Sequence, residues 1–231
     1  MNKHPKPSLF QSSSTMVDLK LLFAVVCVQV ALTSLLVEGA PASRQHGKQP
    51  AIPYEVLNKT ADFEVRRYPS FRYAEASEPK GVGMMAASSR NFWKLFNYIS
   101  GNNDAKEKIP MTVPVLCTLH KDPSGGYSKD FNMMFWLPKK YQCLDCPPKP
   151  SSDQVRITMW GERIAYVRTY GWWAFESLIQ HNENKLRESL EAVGVKGGVD
   201  YDPSVVHSAS YNSPMEIFGR RNEVMFMQMQ H

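Results

Sequence analysis

One order of elements occurs twice along this chain, and that repetition constrains the fold more than any single motif. Val65-Arg66-Arg67-Tyr68 matches Val167-Arg168-Thr169-Tyr170 at an offset of 102, and Pro110-Met111 matches Pro214-Met215 at 104. Two short matches at nearly one offset argue for an internal duplication. The patterning around them agrees. Residues 63–68 alternate apolar and polar as a strand does, and 71–76 extend this as a second piece. A helix is predicted over 82–100, with Met85, Phe92, Leu95, Phe96 and Ile99 on one side and Arg90, Lys94 and Asn97 opposite. Gly101 suits the position just past its end. Residues 109–119 alternate again, but Pro114 has no N–H for a ladder, so it belongs at an edge or a bulge. A strand over 131–137 stops at Pro138, and a Pro-rich loop spans 143–152. The second half then reads strand 164–170, helix 173–193 closed by Gly194, extended piece 210–217 and a final apolar strand 222–229. Two such units most simply build an α+β fold. It is a distorted antiparallel β-barrel from two similar strand-helix-strand halves, with two helices packed outside. A groove is expected where the halves meet.

The first 39 residues read as a leader. Residues 21–36 form a 16-residue run without charge behind Lys20, and Val37-Glu38-Gly39-Ala40 offers small residues for cleavage. The run is shorter than the roughly 20 residues of a spanning helix. The chain is therefore expected to have a signal peptide over 1–39, starting at Met1 or Met16. A mobile polar segment over 40–52 and one domain over 53–231 follow. The mature protein is expected to begin between Ala40 and Ser43 and to be secreted, without stable membrane insertion. Asn58-Lys59-Thr60 is a sequon that marks Asn58 for a glycan. The formal net charge is +5, with Lys and Arg scattered among the acidic residues. With no basic run interleaved with aromatics, nucleic acid is excluded as a partner.

Cys117, Cys143 and Cys146 remain after cleavage. Cys143-Leu144-Asp145-Cys146 has redox or metal spacing, but no second pair completes a zinc site. Pro147 follows, where a covalent haem attachment needs histidine and a thioredoxin-like motif needs a helix. A short loop disulfide between Cys143 and Cys146 is expected, with Cys117 reduced and buried on its strand. His46, His120, His181, His207 and His231 are isolated, without ligand spacing. No nucleophile elbow, Gly-rich phosphate loop or Cys/His arrangement proposes an enzyme.

Longer motifs carry a resemblance. They are Tyr54-Glu55-Val56, Glu64-Val65-Arg66-Arg67-Tyr68, Tyr98-Ile99-Ser100-Gly101-Asn102, Lys108-Ile109-Pro110-Met111-Thr112-Val113-Pro114-Val115, Leu137-Pro138, Pro147-Pro148-Lys149-Pro150, Tyr211-Asn212-Ser213-Pro214 and Arg220-Arg221-Asn222-Glu223-Val224. In this order the chain resembles the SOUL haem-binding family over nearly all of 53–231. The resemblance implies a distorted barrel with two outer helices and non-covalent binding of haem or another tetrapyrrole, without catalysis. It implies that Phe92 and Phe96 touch the ring, with Leu95 and Ile99 as core. Met111 and Met215, read as equivalent, would pack on the porphyrin or fill gaps. Arg220 and Arg221 would pair with propionates, or with Glu223 or Glu216. Three departures stand out. Arg67 occupies the place where some members carry a debated histidine ligand, and a guanidinium cannot ligate iron. Tyr170-Gly171-Trp172-Trp173 replaces Phe-Gly-Gly, and the leader differs from the intracellular members. The expected function is a secreted tetrapyrrole carrier or scavenger. The alternative is a secreted interaction module on the same barrel, binding a protein partner or another apolar ligand.

Overall fold

The computed structural model describes residues 49–78, 83–213 and 215–230. The leader run, its cleavage site, His46, Pro214 and His231 lie outside these residues. The strands are β1 (Glu55–Lys59), β2 (Glu64–Tyr68), β3 (Phe71–Glu78), β4 (Val115–Lys121), β5 (Tyr127–Trp136), β6 (Arg156–Trp160), β7 (Arg163–Tyr170), β8 (Val205–Ser210) and β9 (Asn222–Met227). Helix α1 (Met84–Ile99) joins β3 to β4, and α2 (Glu176–Ala192) joins β7 to β8. The nine strands form one antiparallel sheet, curled as a half-barrel, in the order β1-β2-β7-β9-β8-β4-β5-β3-β6.

That order has a hidden symmetry. Without β1, the chain reads β2-β3-α1-β4-β5 and then β6-β7-α2-β8-β9. Exchanging the halves strand for strand turns the sheet order into its own reverse, about an axis between β4 and β8. The short sequence matches do not mark this axis. Val65 to Tyr68 lie in β2, whereas Val167 to Tyr170 lie in β7, whose counterpart is β3. The two matching strands are paired to each other, Glu64 opposite Val167. Met111 precedes β4 and Met215 follows β8, so these methionines are not equivalent either. Equivalent strands here share a place in the sheet order and not residue identities, and a match at three positions of four recurs where strands draw on few residue types.

Other differences have local causes. The strand expected over 109–119 starts at Val115. Ahead of it, Ile109 N–H donates to the Ile99 carbonyl (2.8 Å), and Ile52 N–H donates to the Val113 carbonyl (3.2 Å). The piece expected over 210–217 is a loop, and the strand is β8 just before it. β1 is exposed along its whole length, so it shows no alternation to read.

Strand parity gives the sheet two faces. Ala74, Ala76, Phe131, Met133, Phe135, Val224 and Phe226 pack with Leu95, Ile99, Ile179, Leu186 and Leu190 under the helices. Tyr68, Phe71, Leu116, Met134, Trp136, Val167 and Met225 form a second cluster on the concave face. Leu95 and Ile99 are core, as expected. Gly101, at φ 113°, takes the left-handed turn past the end of α1. Lys94 Nζ reaches Glu78 at 2.5 Å and ties α1 to β3. Cys143 and Cys146 form the loop disulfide. Cys117 is a free thiol on β4 as expected, but half-buried and not fully buried, and the desolvation of its thiol pushes its pKa up to about 12.

Candidate functional site

The sequence-predicted residues gather near one end of the sheet. Phe135, Val115, Ser210, Asn222 and Tyr170 sit side by side on β5, β4, β8, β9 and β7. Adjacent strands are about 4.8 Å apart, so the row spans roughly 19 Å. Phe92 of α1 meets Phe135 edge-on at 5.5 Å and stacks on Phe96 at 5.7 Å. Trp93 meets both rings edge-on. Phe92 is half-buried and Phe96 is 37% exposed, because the helix turns this side past the rim of the core. Met111 packs half-buried on the same core cluster.

Two loops leave the other part of the row. The β8–β9 loop exposes Met215, Ile217 and Phe218, the last at 90%. The β7–α2 loop exposes Trp172 and Phe175, and Asn222 Nδ2 donates to the Trp172 carbonyl at 2.6 Å. Arg220 joins the loops. Its Nη1 donates to the carbonyls of Ser213 (2.9 Å) and Glu216 (2.6 Å), and its guanidinium lies 4.0 Å from the centre of the Trp173 ring. The helices pack on β3 and β5 and on β7 and β9, which leaves the central pair β4 and β8 between them.

Arg221 is already committed. Its Nη2 and Nε reach Glu223 Oε1 at 2.6 and 3.1 Å. Glu223 has no exposure, and it also accepts from Arg66 Nη1 (3.0 Å), Tyr211 Oη (2.9 Å) and Thr169 Oγ1 (3.4 Å). Burial alone would disfavour the charge on Arg66, but Glu223, Tyr68 and Glu64 outweigh it and raise its pKa. Burial, then Glu223, pushes the Tyr68 phenol up to about 12. Sequence reading did not find this Arg66–Glu223 centre. The signal was there: Arg66 and Tyr68 share a strand face two residues apart, and Glu223 is the one charged residue of the strand predicted over 222–229.

The remaining groups lie apart. Arg67 pairs with Glu55 at 2.9 Å on the exposed β1–β2 edge. Asn58 is exposed on β1. His207 is buried on the concave face, with Nδ1 3.2 Å from Thr118 Oγ1. Burial first, then Arg163 and His120, lowers its pKa to about 3, so its imidazole is neutral. His181 is exposed on α2. Among the described residues, no group of three or more His, Cys, Asp or Glu side chains could hold a metal ion. No described helix is long and apolar enough to cross a membrane.

The profile of the SOUL heme-binding protein family matches residues 49–227. The chain belongs to this family. Within it, the chain is 30% identical to human heme-binding protein 2 over 178 residues, covering 76% of this chain and 82% of that one. It is 32% identical to mouse heme-binding protein 1 over 131 residues, or 57% and 66% of the two chains. Among solved structures, the EcmrR C-terminal domain superposes at TM-score 0.50 with 9% identity, over 77% of this chain and 99% of that one. That likeness concerns the fold alone. The SOUL family match takes in every strand and both helices among the described residues.

Proposed function

We propose that this SOUL protein binds haem or a related tetrapyrrole without a covalent bond, as a secreted carrier or scavenger. The family match over residues 49–227 carries the reading. The apolar groups around the Phe135–Ser210 row support it, because a flat macrocycle needs aromatic and thioether contacts on its faces. Phe92, Phe96 and Met111 would meet the ring from the α1 side, and Met215 from the β8–β9 loop. Arg220 suits a propionate better than Arg221, which is already forked on Glu223. Arg67 cannot ligate iron, and His207 and His120 stand on the opposite sheet face. Binding then rests on apolar contact: a few hundred Å² at roughly 25 cal/mol/Å² gives several kcal/mol before association costs, which corresponds to micromolar affinity.

Titration with haem, followed by the Soret band, tests this. Iron-free porphyrin is expected to bind about as well as haem, and Phe92→Ala or Phe96→Ala to weaken both more than any single His→Ala change. A six-coordinate spectrum abolished by His207→Ala would overturn the binding mode. Absence of binding with either tetrapyrrole would favour the alternative of an interaction module for a protein partner.

A further inference from the structure

We propose a second ligand site, on the concave face, for an organic anion with a flat apolar body. The face holds a cavity of about 410 Å³, within the range of small-molecule sites. Tyr73, Met134, Trp160 and Met227 give it apolar walls, and the Tyr73 and Trp160 rings stand 6.2 Å apart in an edge-on arrangement. A planar one- or two-ring body suits such walls.

Arg163 supplies the charge. It lines this cavity and also the smaller apolar hollow beside it, formed with Phe71, Leu116 and Met225. Its guanidinium lies 6.0 Å from the centre of the Trp160 ring. Among the described residues it has no ion pair or side-chain hydrogen bond, and its Nε is buried without a partner. A buried donor left unpaired is costly, and a carboxylate accepting from the guanidinium fork removes that cost. The two acids among the described residues that line the cavity, Glu75 and Asp202, already have partners. Glu75 lines the cavity but leans toward Arg156 at 3.9 Å, and Asp202 accepts from Ser204 N–H at 2.8 Å and Oγ at 2.6 Å. His207, neutral beside Thr118, adds a polar edge without charge. Among the described residues Arg163 is thus the one cation lining this cavity, and it faces apolar walls. The site lies on the opposite sheet face from Phe92 and Phe96, so it stands whether or not a tetrapyrrole binds there.

The test uses the purified chain from residue 40 with 2-naphthoate, its neutral amide and 2-naphthylmethylamine, read by NMR at the Trp160 indole N–H and at His207. Naphthoate is expected to shift both signals, with the amide and the amine binding about tenfold more weakly or worse. Arg163→Gln should bring naphthoate down to the level of the amide, whereas Phe96→Ala should leave it unchanged. Equal binding of acid and amide, preference for the amine, naphthoate shifts confined to the α1 end, or no shift at millimolar naphthoate would each overturn the proposal. If Arg163→Gln does not fold, the acid-against-amide comparison in the unaltered chain decides alone.

Discussion

Glu223, itself without exposure, holds the buried Arg66 and the partly exposed Arg221, and this makes it the residue on which the concave end of the sheet depends. Removing one member of a buried ionic group leaves the others uncompensated. Glu223→Gln is therefore expected to cost about 3–5 kcal/mol in a urea titration, well above a typical surface substitution. His207 gives a second expectation, in pH. Its folded pKa, about 3, lies below the ordinary 6.5. As pH falls below 6.5 the unfolded chain takes up a proton that the folded chain refuses, so stability is lost progressively from about 6.5 down to 3. Between pH 7 and 5 this amounts to roughly 2 kcal/mol. Hydrogen bonds from Lys59 and from Lys94 hold Glu64 and Glu78 below the usual carboxylate range, and they add loss of the same sign at lower pH. Urea titrations at pH 7 and 5 should show the loss, and His207→Gln should flatten it. The pairing of Arg66 with Glu223 was not legible beforehand, because the two are 157 positions apart and a strand pattern marks each residue without naming its partner. What the sequence did offer was the choice for Arg221 between a propionate and Glu223, and the structure shows the ion pair.

Helix α1 separates what stabilises the fold from what is offered to a ligand. Leu95 and Phe96 are neighbours in sequence, yet Leu95 has no exposure and Phe96 has 37%. Leu95→Ala is expected to cost about 2–5 kcal/mol through the cavity it leaves. Phe96→Ala should cost far less in stability and more in porphyrin affinity. Thermal unfolding and porphyrin titration of the same two variants check this division, and a larger stability loss for Phe96→Ala would remove it. Helix spacing made this side of α1 readable, because period 3.6 survives in the sequence whatever the helix packs against. β1, β6 and β8 were not readable in the same way. β1 is uniformly exposed, and β8 runs Val205-Val206-His207-Ser208-Ala209-Ser210, buried on both faces without alternation.

At the scale of the whole molecule, the open ends of the half-barrel are β1 and β6. An exposed edge invites pairing with another chain. Asn58 sits on β1, so a glycan there would cover one of these edges. The expected outcome in a secreting cell is material in the medium that starts between Ala40 and Ser43 and loses mass on deglycosylation, with Asn58→Gln lacking that shift. Cytosolic protein retaining Met1 or Met16 would refute secretion. The amino-acid sequence by itself determined the family motifs, the two helices, the disulfide between cysteines three positions apart and the α+β architecture. The helices and the disulfide rest on spacing within one stretch of chain, and the architecture rests on the order of elements and motifs along it. Only the tertiary structure decided where the symmetry axis falls, that Arg221 and not Arg220 pairs with Glu223, and that a cavity lined by Arg163 lies opposite the helices. These depend on strand order and register, which bring β2 beside β7 and β4 beside β8, and no local pattern specifies a neighbour a hundred residues away.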